Sequence, residues 1–389
     1  MNIIERDIFL EIDKYLQTDE VIVITGCRQT GKTTTLKYFY EKIISQNKLF
    51  LDLENVLNRK YFEDENYEAI KDAFEFLGLD FSKKIYIFID EIQFVKNLPS
   101  VIKYLKDKYK VKFFLTGSAS FYLKNLFSES LSGRKYIFNI YPLTFKEFIK
   151  FKGYKVVKNL SKNLDPILGK LFTDYINFGG FPGVALKDSC KEKQKKLQDI
   201  FSSYFEMEVE KLKDFTKLSK VRDTLLLLLS RSGSLLDISK LSQELGITRI
   251  TLKEYIDFFE KTFFFALVKP FSQSKDVEIR KRPKIYPVDV GLAKEFGIND
   301  SGKLFEIAVY QNFKVKNAVN YYRKKNGLEI DFILNKKNAI ETKTSANTSD
   351  IHRVKKLVSK LKGIKNYKIV CLKKSPLKNT LWAPYFCLK

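Results

Sequence analysis

The chain has 389 residues, too many for one ordinary core, and therefore predicts two or three domains. Hydrophobic residues make up 44% and charged residues 30%, which reads as soluble and globular, and no apolar run is long enough to span a bilayer. The formal net charge of +24 predicts attraction to polyanions, nucleic acid first, although a composition rich in Lys could also spread that charge without making a site. One histidine and four scattered cysteines (Cys27, Cys190, Cys371, Cys387) exclude a Cys/His zinc site and a disulfide framework. Together with an N-terminus lacking a signal-peptide layout, they point to a cytoplasmic protein with no membrane partner.

Along the chain, residues 21–24 read as a buried strand and 33–44 as the helix after it. Further apolar strands are expected at 49–53, 85–89, 111–115 and 136–141. Strands this apolar on both faces belong to a parallel sheet between two helix layers. From about Phe145 the pattern turns helical, punctuated by Gly179-Gly180-Phe181-Pro182. A compact unit follows over 221–290, and a last α/β unit runs from Ser301 to the end.

The loop Gly26-Cys27-Arg28-Gln29-Thr30-Gly31-Lys32-Thr33, followed by Thr34, joins the first strand to its helix and fits the Walker A pattern. Glycines at 26 and 31 let backbone N–H groups turn towards phosphate oxygens. Lys32 reaches the β- and γ-phosphates, and the Thr33 hydroxyl ligates magnesium. The acidic pair Asp90-Glu91 ends the third strand, as a Walker B pair does, with Asp90 on the magnesium ion and Glu91 activating the attacking water. The expected ligands are thus ATP and Mg2+.

These motifs, with Leu115-Thr116-Gly117-Ser118, Leu131-Ser132-Gly133-Arg134, Tyr141-Pro142-Leu143 and Lys284-Ile285-Tyr286-Pro287-Val288-Asp289-Val290-Gly291-Leu292, resemble the archaeal ATPase family of AAA-type proteins. Relatives commonly carry two arginines where this chain has Arg28-Gln29. The resemblance implies an α/β fold: an AAA-type P-loop core (1–144) with a helical lid (145–220), then a winged helix (221–291) and a restriction-endonuclease-like domain (292–389). It implies ring or partial-ring assembly, a polar sensor at the end of the fourth strand (Ser118 in preference to Thr116), and an arginine finger at Arg134. Arg134 also reads as a helix C-terminal cation satisfying the dipole.

Residues 221–231, 238–245 and 249–261 read as three helices with helix-turn-helix spacing, and 263–271 with 284–288 as a β-wing. Arg249 and Lys253 on the third helix, with Lys275, Arg280, Lys281, Arg282 and Lys284 at the wing, are the candidate DNA contacts. Packing alone is the alternative, and Glu254, Asp257 and Glu260 would repel phosphates. Finally, Asp331, Glu341 and Lys343 fall on two strands in the D…E-x-K layout of PD-(D/E)XK nucleases, with Glu306 on a preceding helix. They form a candidate metal cluster, or simply salt-bridge partners. The expected function is a homo-oligomeric, DNA-binding ATPase that remodels or senses duplex or branched DNA without sequence preference. An ATP-dependent nuclease and a nucleotide-switched protein scaffold are the rivals.

Overall fold

The structure is a computed structural model that describes residues 3–64, 66–117, 133–157, 161–210, 217–324 and 326–388. The chain divides into two units: residues 1–141 with 261–263, and the remainder.

The first unit is built on five parallel strands, β1 (Val21–Gly26), β2 (Lys48–Asp52), β3 (Ile85–Asp90), β4 (Val111–Gly117) and β5 (Lys135–Ile140). Their order is β2-β3-β4-β1-β5. Central β1 and β4 are buried along their whole length, whereas the edge strands β2 and β5 are half-buried, as the apolar runs predict for a covered sheet. One face carries α1 (Asp7–Asp13) and α2 (Lys32–Lys42), whose Phe9, Leu36 and Phe39 pack on Ile22, Ile24, Phe88 and Phe114. The short α3 (Val56–Arg59) follows β2. The other face is covered by α4 (Tyr67–Phe76) and α5 (Leu98–Lys108), through Phe74, Ile102 and Leu105. Lys112 is buried in β4; its ammonium donates to the carbonyls of Tyr15, Thr18 and Glu20, and burial lowers its pKa to about 8.

The second unit opens with helices α6 (Phe145–Phe151), α7 (Asp165–Phe178), α8 (Pro182–Ala185) and α9 (Cys190–Tyr204), α6 and α9 each starting in a capping box. Three helices follow, α10 (Leu218–Ser230), α11 (Ile238–Leu245) and α12 (Arg249–Lys261). The Thr248 hydroxyl accepts the Thr251 N–H and so caps the start of α12. Next come antiparallel β6 (Phe265–Val268) and β7 (Lys284–Pro287). Between them, at the expected wing, lies a helix, α13 (Lys275–Arg280). Then α14 (Val290–Glu295) and α15 (Ser301–Phe313) lead into a mixed sheet ordered β12-β11-β10-β9-β8. Its strands are β8 (Val319–Arg323), β9 (Glu329–Leu334), β10 (Asn338–Lys343), β11 (Asn366–Cys371) and β12 (Thr380–Trp382), joined by α16 (Thr348–Val358) and closed by α17 (Ala383–Cys387). The segments expected as lid, winged helix and C-terminal domain contribute to one apolar core, which includes Phe145, Tyr175, Tyr286, Tyr310 and Phe332.

Three sequence motifs meet at a buried polar hub in this unit. Asp289, fully buried, accepts hydrogen bonds from the N–H groups of Gly180 and Gly291 and from Gln311 Nε2. Burial pushes its carboxyl up to about 6 against those three donors. A Cβ at Gly179 would lie 1.8 Å from Asp289 Oδ1, and one at Gly180 would lie 2.3 Å from the Leu143 carbonyl oxygen. The Gly-Gly pair is therefore required by close packing, and the motif is structural.

Candidate functional site

The loop after β1 wraps the N-terminus of α2. Gly31 caps that helix with φ 97° and Gln29 also lies at positive φ, so successive N–H groups are free to turn into the loop's hollow. At the strand end, Gly26 has φ 147°, and a Cβ there would sit 2.1 Å from the Ile140 oxygen. Lys32 is buried, its Nζ 3.1 Å from the carbonyl oxygens of both Gly26 and Cys27. The ammonium thus lies across the loop, where a phosphate would replace the carbonyls. The Thr30 hydroxyl donates to Cys27 O at 2.7 Å, and Arg28 pairs with Glu54 at 3.9 Å.

The acidic pair at the end of β3 lies beside this loop because β4 separates β3 from β1 and supplies a polar residue between them. Asp90 is buried, and burial, foremost, raises its carboxyl above the usual range. Hydrogen bonds from the Thr116 and Thr33 hydroxyls oppose that, while the charges of Glu91 and Asp52 add to it. The Thr33 hydroxyl, expected from the sequence to share a magnesium ion with Asp90, is near enough to act on its carboxyl. Glu91 adopts the left-handed conformation, φ 55° and ψ 53°, which non-glycine residues rarely take. Its N–H donates to Thr116 Oγ1 at 3.1 Å and its carboxylate accepts from Gln93 Nε2. Glu54, at the turn after β2, faces the same acids; burial and then Glu91 raise its carboxyl.

Ser118, expected as the sensor, lies outside the described residues. Thr116 is the polar residue placed against Asp90, two positions earlier in the chain. Sequence reasoning weighed Thr116 but had no register to prefer it, and it missed Glu54 and Arg6, which bonds the loop from the N-terminal segment.

Arg134 precedes β5, and its backbone oxygen accepts from Val21 N. This is the end of the sheet opposite Gly26, which pairs with Ile140. Its guanidinium is half-exposed, pairs with Asp107 at 2.5 Å, and lines a cleft of about 560 Å³ with Lys84, Lys106, Lys110 and Lys112.

A family model described as an AAA domain matches residues 18–149, and two domains of unknown function (DUF8612 and DUF4143) match 169–301 and 301–381. An uncharacterised protein of Haemophilus influenzae is 30% identical over 359 residues, spanning 87% of this chain and 85% of that one. The chain belongs to an AAA-type P-loop ATPase family. A second relative, an uncharacterised protein of Methanocaldococcus jannaschii, is 29% identical over 379 residues, with 94% of this chain and 83% of that one covered. Among solved structures, a Walker-type ATPase of Pyrococcus abyssi is 13% identical with a TM-score of 0.48, covering 76% of this chain and 96% of that one.

The other candidate residues of this ATPase fall in the second unit. Arg249 and Lys253 are exposed on α12, and Arg280 and Lys281 are exposed at the end of α13. Lys275 begins that helix. Arg282 is exposed but pairs with Asp237 at 2.8 Å. Lys284 does not fit the expected DNA surface: it is 2% exposed in β7 and pairs with Glu306 at 3.1 Å and Glu329 at 3.4 Å. Burial alone would lower its pKa, but Glu306, Asp331 and Glu329 together hold the ammonium above the ordinary lysine range.

Asp331 and Glu341 lie on adjacent antiparallel strands, β9 and β10, next to the paired residues Phe332 and Ile340 respectively. Protein groups hold Asp331 and one oxygen of Glu341, while Glu341 Oε2 is buried without a hydrogen-bond partner among the described residues. Asp331 Oδ2 accepts both the N–H and the hydroxyl of Thr342 at 2.7 Å. Glu341 pairs with Arg353, and with Lys343 at 3.4 Å. Glu306 is held by Lys284 and by the Tyr286 hydroxyl at 2.5 Å; burial, then Asp331, pushes its carboxyl up to about 7. Among the described residues no group of three or more His, Cys, Asp or Glu side chains is arranged to hold a metal ion. Asp331 lies close enough to raise the carboxyls of both Glu306 and Glu341, while Lys284 from β7 and Arg353 from α16 pair with those two acids.

Proposed function

We propose that this chain hydrolyses ATP at the β1–α2 loop and couples turnover to binding of duplex or branched DNA. The observation that carries the reading is the pairing of two sites: Lys32 lies buried across a Walker A loop, and Thr116 on the intervening strand holds Asp90 by a hydrogen bond at the neighbouring acidic strand end. The residues fit magnesium: a hydroxyl and a carboxylate already converge, and the ion would supply positive charge to the β- and γ-phosphates. Lys32 and the N–H groups of residues 28–33 bind the phosphates. The Glu91 carboxylate orients a water for in-line attack and takes its proton, while Thr116 fixes the position of both acids.

The order of three helices followed by a two-stranded ribbon, α10 to β7, supports the winged-helix reading. Arg249, Lys253, Arg280 and Lys281 are its solvent-facing cations. A nuclease reading has less support, since Lys284 and Arg353 neutralise the acids that a metal would need. The test is the ATPase rate with and without single-stranded, duplex and branched DNA. Lys32→Ala should abolish nucleotide binding or turnover. Glu91→Gln should bind ATP and turn it over at least ~100-fold more slowly. Normal turnover by Glu91→Gln would place water activation elsewhere, and no stimulation by any DNA at low salt would favour the scaffold reading.

A further inference from the structure

Arg6 is an N-terminal residue that sequence patterns leave unassigned, yet it is only 7% exposed. Its Nη1 donates to the Thr30 carbonyl at 2.9 Å and its Nη2 to the Tyr141 carbonyl at 2.9 Å. Thr30 lies within the Walker A loop, immediately before Gly31; Tyr141 is the residue after β5. We propose that Arg6 is a positioning residue for phosphate binding, which aims the Gly31 N–H into the loop's hollow.

The argument begins with the peptide unit. The described backbone contains no cis peptide bond, so the Thr30 carbonyl and the Gly31 N–H point in opposite directions across one rigid plane. A guanidinium that holds the carbonyl on the outer side therefore fixes the N–H on the inner side. Gly31 sits at φ 97°, where a glycine has wide freedom, and its own side chain cannot set this orientation. A charge-assisted hydrogen bond to the carbonyl also polarises the peptide and makes its N–H a stronger donor.

The second hydrogen bond of Arg6 supplies the reference frame. Gly26, where the loop begins, is packed on the Ile140 carbonyl, and Arg6 ties Thr30 to the next carbonyl, that of Tyr141. Both ends of the loop are thus referred to consecutive residues at one strand end. This inference rests on the ATP-binding reading above, since it assigns Arg6 to the same loop.

The experiment measures ADP affinity by calorimetry, together with nucleotide-free melting and ATPase kinetics, for wild type, Arg6→Met, Arg6→Lys and Lys112→Met. Lys112 is a second buried cation bonded to backbone carbonyls, but those of Tyr15, Thr18 and Glu20, away from the loop. Arg6→Met should weaken ADP binding at least ~10-fold and raise KM in step, with kcat at saturating ATP changed by less than about threefold. Arg6→Lys should fall between, because one ammonium cannot reproduce a planar fork across two carbonyls. Lys112→Met should lower the melting temperature without that loss of affinity. Unchanged ADP affinity in both Arg6 variants would overturn the proposal, as would an equal loss in Lys112→Met, which would make the Arg6 effect one of general stability. If Arg6→Met does not fold, Arg6→Lys decides alone. Wild-type protein that fails to bind ADP would instead remove the nucleotide reading, and this proposal with it.

Discussion

The Thr116 hydroxyl donates to the Asp90 carboxylate and accepts the Glu91 N–H, so one side chain orients two adjacent acids with separate tasks. Glu91 is held in the left-handed region, a conformation that costs about 1–3 kcal/mol in a non-glycine residue and persists only where its surroundings enforce it. Thr116→Val keeps the shape and removes the hydroxyl. It leaves a buried carboxylate short of a donor and a buried N–H without its acceptor, at a cost of roughly 1–3 kcal/mol in stability. We expect turnover to fall about 10- to 100-fold while ADP affinity stays within a few-fold, because the phosphate-binding loop is untouched. Single-turnover kinetics beside equilibrium binding would separate the two, and full-speed turnover would show that Glu91 is positioned without Thr116.

At the scale of elements, the connection between β6 and β7 carries cations in two opposite environments. Arg280 and Lys281 are exposed at the end of α13, while Lys284, three residues on in β7, is buried against Glu306 and Glu329. The two groups should therefore answer different assays. Replacing Arg280 and Lys281 with Ala should weaken duplex binding about tenfold and flatten its salt dependence, with little change in stability. Lys284→Met should cost about 3–5 kcal/mol in stability, the usual penalty for stripping one partner from a buried ion pair, and leave the salt slope of DNA binding unchanged. A loss of DNA affinity from Lys284→Met at full stability would return that residue to the proposed DNA surface.

The sequence alone presented Lys284 as one more cation in a basic run, because its burial depends on partners 22 and 45 positions away. The three inner strands of the first unit, β1, β3 and β4, were legible for the opposite reason: inner strands of a parallel sheet are continuous apolar runs that announce themselves locally. The Walker A loop was readable from glycine spacing. Thr116 over Ser118, and Arg6, were not, since each is chosen by a neighbour brought up through the sheet.

For the molecule as a whole, the open question is whether one chain contains a complete catalytic centre. β1 and β5 run parallel with Val21 opposite Lys135 and Gly26 opposite Ile140. Arg134 therefore stands about 20 Å along the sheet from the loop it would have to serve, taking ~3.3 Å per residue over the six residues from Arg134 to Ile140. No arginine side chain spans that distance, so a transition-state role for Arg134 requires a second copy of the chain. Its pairing with Asp107 does not prevent this, because both groups are about half-exposed and such ion pairs are worth only about 0–1 kcal/mol. Arg134→Ala should bind ATP normally and fail to hydrolyse it. Mixed with Lys32→Ala, which keeps the finger and lacks the pocket, it should regain activity at interfaces that join an intact pocket to an intact finger. Specific activity of the wild type should also rise with protein concentration as those interfaces form. Turnover that is independent of concentration and indifferent to Arg134→Ala would make this a monomeric catalyst, and Arg134 a surface cation answering Asp107.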